Sequence, residues 1–310
     1  MTSASLSDAA KKLGRTQPAV SAAIKTLEDQ LGLQLFDRQG RKLVPVPEAH
    51  YLLTETDAIL SQLARVRQTM RSLVDGQSGN LSIAAMPGPV SVLFPRFIAS
   101  QIEGNARINV SILARSSHQI AELARAQSID FGFADAPENI EAQNLYDAEF
   151  ISADCFLAIP SNHRLAEKDA ISLSDLSDEP MGSLQANHAH QQELRAMFTA
   201  RDLTFRTTVE SQTFLPILQF VSAGQCCSIL DPLTVAHVNA AGSMTDHVQV
   251  RPLVEKIRYR YAIVAPLYRP VSVLATKMRA AWRDEVLRLL DDVGSQPRLD
   301  LPSEKSPALT

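Results

Sequence analysis

The sequence has few of the residues on which disulfide, metal or catalytic frameworks depend. Its 310 residues include three cysteines, and their spacing to histidines fits no zinc site. Cys226 and Cys227 are adjacent in an apolar, strand-like run, and Cys155 stands apart. We interpret all three as reduced core residues of a cytoplasmic protein. The sequence also lacks a Gly-x-Ser-x-Gly motif, a phosphate-binding loop and a Ser-x-x-Lys near a strand end, so we predict no catalytic residue, no cofactor and no enzyme.

Long hydrophobic runs are missing too, although hydrophobic residues make up 45% of the chain. No apolar stretch approaches the roughly 18 residues of a membrane-spanning helix, and we expect neither a signal peptide nor a membrane partner. The net charge of −4 is unevenly distributed, because residues 1–45 hold seven Lys or Arg against four Asp or Glu. A basic N-terminal unit on an acidic body suits local DNA binding.

The stretch from Ser5 to Leu31 predicts two short helices joined by a tight turn. Thr16 can cap the second helix, and Pro18 stands in its first turn, where a missing N–H is harmless. The face opposite its apolar stripe is small or polar, as a helix that enters a DNA major groove requires. A plain helical hairpin with a solvated polar face is the alternative.

Two β-like runs follow, residues 33–38 and 41–44, around Gln39-Gly40. They predict a hairpin with a basic tip that could lie beside the groove as a wing. We expect Gln17, Ser21 and Lys25 to face the groove, and Thr16, Arg38 and Arg41 to contact phosphates. The complete set of predicted DNA-binding residues is Thr16, Gln17, Pro18, Ser21, Lys25, Arg38 and Arg41.

Residues 47–75 form a predicted linker helix with a heptad repeat. Its apolar seam comprises Ala49, Leu52, Thr56, Ile59, Leu63, Val66, Met70 and Leu73. Such a seam favours dimerisation, although an amphipathic helix packed on its own domain would show a similar pattern. A glycine-containing hinge follows at about residues 75–80.

From residue 81 the pattern alternates strands and helices, which predicts a parallel sheet covered by helices. We expect two lobes, the first at about residues 81–153 and 252–292 and the second at about 154–251. A cleft between lobes is a common site for small ligands. The first elements are predicted as strands at 81–86, 108–113 and 129–134, with helices over 89–101 and 117–126. Residues 294–310 are predicted to be a disordered tail.

Residues 1–46 resemble the winged helix–turn–helix of the LysR-type transcriptional regulators. The matching motifs are Ala9-Ala10, Gln17-Pro18, Ala19-Val20-Ser21, Leu27-Glu28 and Leu35-Phe36-Asp37-Arg38. Two features depart from the family: the wing exit reads Val44-Pro45-Val46-Pro47, and a helix usually precedes the motif. We therefore expect Met1 to be an internal methionine.

The resemblance implies an α/β protein with an N-terminal α winged helix–turn–helix and a two-lobed effector domain like the type 2 periplasmic binding proteins. It is nearest to the regulators of opine catabolism, which sense octopine or nopaline, and to the diaminopimelate-responsive regulator. The motifs behind this are Phe133-Ala134-Asp135-Ala136-Pro137, Leu93-Phe94-Pro95-Arg96-Phe97 and Ile229-Leu230-Asp231-Pro232. The implied partners are promoter DNA, a small effector, RNA polymerase, and further copies of the same chain in a homodimer or homotetramer.

Several strand ends in the predicted effector domain run into helix N-termini, which suit a carboxylate. Their hydroxyl groups could instead be ordinary helix caps. We expect a small amino-acid derivative whose cationic part pairs with Asp135, although a loop aspartate is often a turn residue, and Asp231 also fits a helix start. The predicted ligand-binding residues are Pro87, Gly88, Ser91, Ser116, Ser117, Asp135, Ser183, Ser211, Thr213 and Asp231.

A second class of function remains open from the sequence. The same two-lobed pattern serves solute-binding proteins of the type 2 periplasmic-binding fold, which have no DNA function. The basic helix–turn–helix argues against that alternative.

Overall fold

A computed structural model describes residues 5–39, 42–75, 79–104, 108–136, 146–241 and 247–300. The chain divides into two compact units, residues 1–67 and 68–310. The division therefore falls inside the linker helix, which the sequence analysis gave as a separate segment, residues 47–75, between the DNA-binding and effector domains. Among the described residues, no helix has the length and hydropathy needed to cross a membrane.

The first unit contains the predicted helix–turn–helix and hairpin. Its elements are α1 (Leu6–Lys12), α2 (Gln17–Leu31), β1 (Phe36–Gln39), β2 (Lys42–Pro45) and the start of α3 (Pro47–Asp75). Ser5 and Thr16 cap α1 and α2 by accepting from the backbone N–H groups of Asp8 and Ala19. Glu28 Oε1 accepts from Leu35 N at 2.8 Å, which ties α2 to the residue before β1.

The linker helix α3 leaves much of its apolar seam uncovered within a single chain. Ala49 is buried, but Ile59, Leu63 and Val66 are 67%, 47% and 51% exposed. The side chains of residues 68–78 lie outside the described part, so Met70 and Leu73 cannot be compared with the prediction. The described portion of the seam is free to pack against another surface.

The second unit contains two lobes. The first lobe is built on a six-stranded sheet in the order β13-β6-β12-β5-β3-β4. Its strands are β3 (Gly79–Ala85), β4 (Ile108–Ala114), β5 (Phe131–Asp135), β6 (Tyr146–Asp154), β12 (Arg258–Pro266) and β13 (Arg298–Asp300), and its helices are α4 (Pro87–Ser91), α5 (Leu93–Gln101), α6 (Ser117–Arg125) and α10 (Val273–Asp292). Strand β3 runs parallel to β4 and β5, as the βαβαβ pattern predicts. Strands β6 and β12 are antiparallel additions.

The second lobe joins an antiparallel sheet, β10-β7-β11, to a parallel pair, β8-β9. Its strands are β7 (Phe156–Pro160), β8 (Pro180–Leu184), β9 (Arg206–Ser211), β10 (Ser228–Leu230) and β11 (Val248–Pro252), and its helices are α7 (Ala189–Thr199), α8 (Phe214–Ser222) and α9 (Pro232–Ala241). The chain crosses between the lobes twice. The two crossings are hydrogen-bonded where Cys155 N donates to Ile257 O at 2.8 Å.

Two predicted segments differ from the structure. The single helix expected over residues 89–101 is two helices, α4 and α5, because Val92 adopts φ −142° and ψ −53°, outside the helical region. The tail expected to be disordered from residue 294 is ordered through residue 300. Ser295 is fully buried, its Oγ donates to Leu290 O, and β13 pairs with β6. Residues 301–310 lie outside the described part.

Candidate functional site

The DNA-facing residues predicted on α2 are largely available to a partner. Gln17, Pro18 and Lys25 are exposed, and Ser21 is half-buried. Gln17 accepts a hydrogen bond from Ser7 Oγ at 3.1 Å, which links the two helices of the motif. Thr16 serves as the N-cap, so its hydroxyl has a structural role as well. Arg41 and the side chain of Arg38 lie outside the described part.

A cavity of about 580 Å³ lies between the two lobes, within the range typical of small-molecule sites. Seven of the ten predicted ligand-binding residues line it: Pro87, Gly88, Ser116, Ser117, Asp135, Thr213 and Asp231. The first lobe contributes the ends of β3 and β5 and the start of α6. The second lobe contributes the starts of α7, α8 and α9.

Three predicted residues do not line the cavity. Ser91 Oγ donates to Pro87 O at 2.8 Å, inside the short helix α4. Ser211 Oγ accepts from Thr213 N at 3.4 Å at the end of β9. Ser183 is buried in β8, where successive side chains point to opposite faces, and its neighbour Leu184 is the one that reaches the cavity. These three residues are therefore not placed at the cavity, and they do not act as side-chain caps of α5 or α8 either.

The helix N-termini around the cavity are not equivalent. Helix α6 has a complete capping box formed by Ser116 and Gln119. Helices α7 and α8 begin at His188 and Thr213 without a side-chain cap. Because the first backbone N–H groups of a helix have no partner within it, the start of α8 offers unpaired donors next to the cavity-lining residues Phe214 and Leu215.

Asp135 stands at the end of β5 and is 22% exposed. Ser117 Oγ donates to its Oδ2 and Tyr259 Oη to its Oδ1, each at 2.7 Å. His188 Nε2 lies 3.4 Å from Oδ2. Burial alone raises the pKa of Asp135, but the hydrogen bond and charge of His188 and the two hydroxyl groups outweigh it, so the pKa lies below its ordinary value. Asp135 is therefore ionised at neutral pH.

Asp231 has a different role at the cavity wall. Its Oδ1 accepts from Leu233 N, Thr234 N and Tyr261 Oη, at 3.0, 3.1 and 2.6 Å, and Thr234 Oγ1 donates to Oδ2. Burial raises the pKa of its carboxyl despite these bonds. Asp231 is thus the cap of α9, as its helix-start motif also allowed, and most of its acceptor positions are already occupied.

The cavity-lining Tyr259 contacts His190, which does not itself line the cavity. Tyr259 lies between His188 and His190, with ring centroids 6.4 and 4.7 Å away. Burial and the charge of His188 lower the pKa of His190 to about 4, so it is neutral at pH 7. Cys155 Sγ lies 3.9 Å from His190 Nε2, and burial raises the pKa of its thiol. The pair consists of an unionised thiol and a neutral imidazole.

Several lining residues escaped the sequence analysis because no local pattern marks them. Arg125 lies at the end of α6, with its guanidinium carbon 5.5 Å from the ring centroid of Tyr146 and an ion pair to Glu122. The lining residues that were missed lie on elements that reach the cavity only when the chain folds. They include Arg125, Tyr146, Gln185, Asn187, His188, Gln212, His237 and Tyr259. Across the described residues, no group of three or more His, Cys, Asp or Glu side chains could hold a metal ion.

A helix–turn–helix unit and a two-lobed α/β domain with a cavity between its lobes define a DNA-binding regulator with an effector domain. Residues 1–50 match the family model for bacterial regulatory helix-turn-helix proteins of the lysR family, and residues 75–288 match that for the LysR substrate binding domain. The chain belongs to the LysR family of transcriptional regulators. Family membership decides against a solute-binding protein without DNA function.

Known proteins resemble the chain over most of its length. It is 28% identical over 277 residues to the transcriptional activator protein LysR of Escherichia coli (strain K12), covering 88% of this chain and 86% of that protein. It is 29% identical over 258 residues to the octopine catabolism/uptake operon regulatory protein OccR of Rhizobium meliloti, covering 81% of each. The solved structure of a full-length OxyR variant from Pseudomonas aeruginosa shares the fold, with a TM-score of 0.59, 21% identity, and coverage of 97% of this chain and 93% of that one.

Proposed function

We propose that this regulator responds to a small amino-acid derivative bound in the interlobe cavity. The observation that carries the proposal is the presence of two opposite electrostatic features in one cavity. The start of α8 has no side-chain cap, so the N–H groups of Phe214 and Leu215 have no partner within the helix, and the ionised Asp135 lies on the other lobe. A zwitterion satisfies both, because a carboxylate suits a helix N-terminus and an ammonium or guanidinium suits a carboxylate.

The relatives support the same class of ligand. One of them is named for octopine catabolism and uptake, and octopine carries both carboxylate and guanidinium groups. The ligand's carboxylate would meet the first N–H groups of α8 and the hydroxyl of Thr213. Its cationic group would approach Asp135 beside Ser117. This placement uses both lobes, so the ligand would stabilise their closed arrangement by its differential affinity for it.

The DNA-binding form is proposed to be a dimer or tetramer held by α3. The exposed Ile59, Leu63 and Val66 supply an apolar strip at heptad spacing. Gln17, Ser21 and Lys25 of α2 would read base edges, with Thr16, Arg38 and Arg41 on phosphates. Ligand binding would change the relative placement of the two DNA-binding units and with it the promoter contacts, including any to RNA polymerase.

A thermal-shift screen followed by calorimetry tests the ligand class. The compounds are octopine, nopaline, meso-diaminopimelate, L-arginine and L-citrulline. L-citrulline is an isostere of L-arginine with an uncharged side chain. The best ligand should lose affinity about ten- to hundredfold in Asp135→Asn, because a hydrogen bond to a charged group contributes roughly 1.5–3 kcal/mol. Ser91→Ala is the matched control, since Ser91 does not line the cavity.

The screen can also refute the proposal. If the best ligand is uncharged or purely anionic, or if Asp135→Asn binds it as well as the wild type does, Asp135 has only a structural role. The proposed pairing of a cationic group of the ligand with Asp135 would then be wrong.

A further inference from the structure

The hydrogen bonds to Asp135 are of unequal quality. Ser117 and Tyr259 belong to the same lobe as Asp135 and donate at 2.7 Å. His188 belongs to the other lobe, and its Nε2 lies at 3.4 Å, near the limit of a hydrogen bond. Among the described contacts of Asp135, this one is both the weakest and the one that joins the lobes. It is the contact most easily exchanged for another.

His188 is placed to move without disturbing its helix. It is the N-cap residue of α7, but its side chain makes no capping bond. Its backbone makes the local bonds instead: His188 N donates to Gln185 O, and Gln192 N donates to His188 O. Nδ1 has no hydrogen-bond partner among the described residues. The imidazole is therefore held mainly by Asp135 and by contact with the Tyr259 ring.

Among the described side chains that contact Asp135, only His188 reaches it from the other lobe. Tyr259 on β12 is neutral because burial raises its pKa well above the ordinary value. His190, the second residue of α7, is neutral as well. Asp231, at the start of α9, faces Tyr261 rather than His188. A second pair between the lobes, Arg260 Nη2 to Glu193 Oε1 at 3.1 Å, is about half exposed and contributes little.

We propose that His188 is an internal substitute for the ligand's cationic group, and so determines the cavity's preference for cations. In the ligand-free protein its imidazole bridges the lobes through Asp135. A ligand ammonium or guanidinium takes over Asp135 Oδ2, because its N–H groups would occupy the position that His188 Nε2 now holds at that oxygen. This inference rests on the proposed function, since it names the residue that such a ligand must displace.

The first test needs no ligand. Hydrogen exchange of the peptide covering residues 184–192 should be several-fold faster in His188→Ala than in wild type, because the bridge between the lobes is lost. His118→Ala is the matched control: His118 also lines the cavity, but from α6 and without a recorded hydrogen bond to the second lobe. Equal exchange in wild type and His188→Ala overturns the bridge.

The second test separates displacement from binding. Calorimetry compares L-arginine with L-citrulline on wild type, His188→Gln and His188→Lys. Removing the imidazole in His188→Gln should raise affinity for L-arginine about tenfold and affinity for L-citrulline, which has an α-ammonium group but an uncharged side chain, by less. The permanent cation in His188→Lys should abolish L-arginine binding.

The outcomes distinguish this inference from the proposed function. If His188→Gln and His188→Lys bind L-arginine like the wild type, displacement is overturned while the zwitterion site stands. If neither wild type nor His188→Gln binds L-arginine, displacement is also overturned. Binding of octopine or nopaline in the screen would still support the proposed function in that case. If no compound binds, both proposals fail.

Discussion

At the scale of single residues, the structure separates hydroxyl and carboxyl groups that complete helices from those that face the cavity. Ser116 and Asp231 do both, because each caps a helix whose first turn lines the cavity. Asp135 caps nothing, and its charge is stabilised by donors from three different elements. It is therefore the residue whose removal should change ligand binding and acid stability together.

The ionised Asp135 should stabilise the protein in a pH-dependent way. Its folded-state pKa lies below the ordinary 3.8, so the stabilisation is fully present above that value and is lost as the pH falls through the folded-state pKa. Urea unfolding of wild type and Asp135→Asn should differ by about 1–2 kcal/mol at pH 7, and the gap should narrow below about pH 4. A gap that widens on acidification would show that the sign of the shift is wrong.

Close packing at Gly182 gives a second prediction for a single residue. A Cβ there would lie 2.3 Å from Ile217 Cγ2 and 3.1 Å from Cys226 Sγ. Gly182→Ala should therefore lower the free energy of unfolding by about 1–3 kcal/mol. Gly88→Ala is the control, since nothing lies within 4 Å of its added Cβ. Equal urea midpoints for the two variants would mean that the second lobe is packed more loosely around β8 than the structure shows.

At the scale of elements, local sequence signals predicted well which segments are helices or strands and where these lie in the sequence. The helix starts at Ser5 and Thr16 follow from capping chemistry, and the strands β3, β4 and β5 follow from alternating hydrophobic segments. The break at Val92 has a local signal that the sequence analysis did not use, because Pro95 has no N–H to donate to the carbonyl of Ser91, four residues earlier. The order of residues 294–300 depends on Ser295 and on pairing with β6, which lies more than 140 residues earlier in the sequence. Long-range pairing of this kind cannot be derived from composition.

Helix α2 should bind DNA through its polar face. Ser21→Leu should abolish sequence-specific binding without unfolding, because a larger apolar side chain would fill the groove-facing surface. Thr26→Leu is the matched control on another part of the same helix, where the side chain is also exposed. Anisotropy titrations with specific and unrelated duplexes measure the difference. Equal losses in the two variants would remove Ser21 from the interface.

Helix α3 should hold the dimer through its exposed seam. Leu63→Asp places a charge in a surface that dimerisation would desolvate, which is costly without a partner, so sedimentation should show dissociation. Ser61→Asp adds the same charge at an exposed position outside the seam and should leave the mass unchanged. An unchanged mass for Leu63→Asp would contradict a dimer seam in α3.

At the scale of the whole molecule, the sequence predicted two lobes with a cleft and seven of the residues that line it. It did not reveal which residues meet across the cleft. His188 and Tyr259 are 53 and 124 positions from Asp135 in the sequence. The repeat of a helix or a strand cannot predict contacts between residues so far apart in the chain. The motifs of the DNA-binding unit are local, whereas the cavity's electrostatics depend on how β5, β12 and α7 are brought together.

The central claim is that the cavity's ligand controls DNA binding, and one measurement tests it directly. Fluorescence anisotropy would follow binding of the full chain to the DNA upstream of its own gene, at fixed salt, with and without the best ligand from the screen. In wild type, we expect the ligand to change the affinity for DNA by about 5- to 150-fold or to change the footprint on it. Asp135→Asn should bind DNA normally but lose that response. A ligand that binds the cavity while wild-type affinity and footprint stay the same would contradict the account.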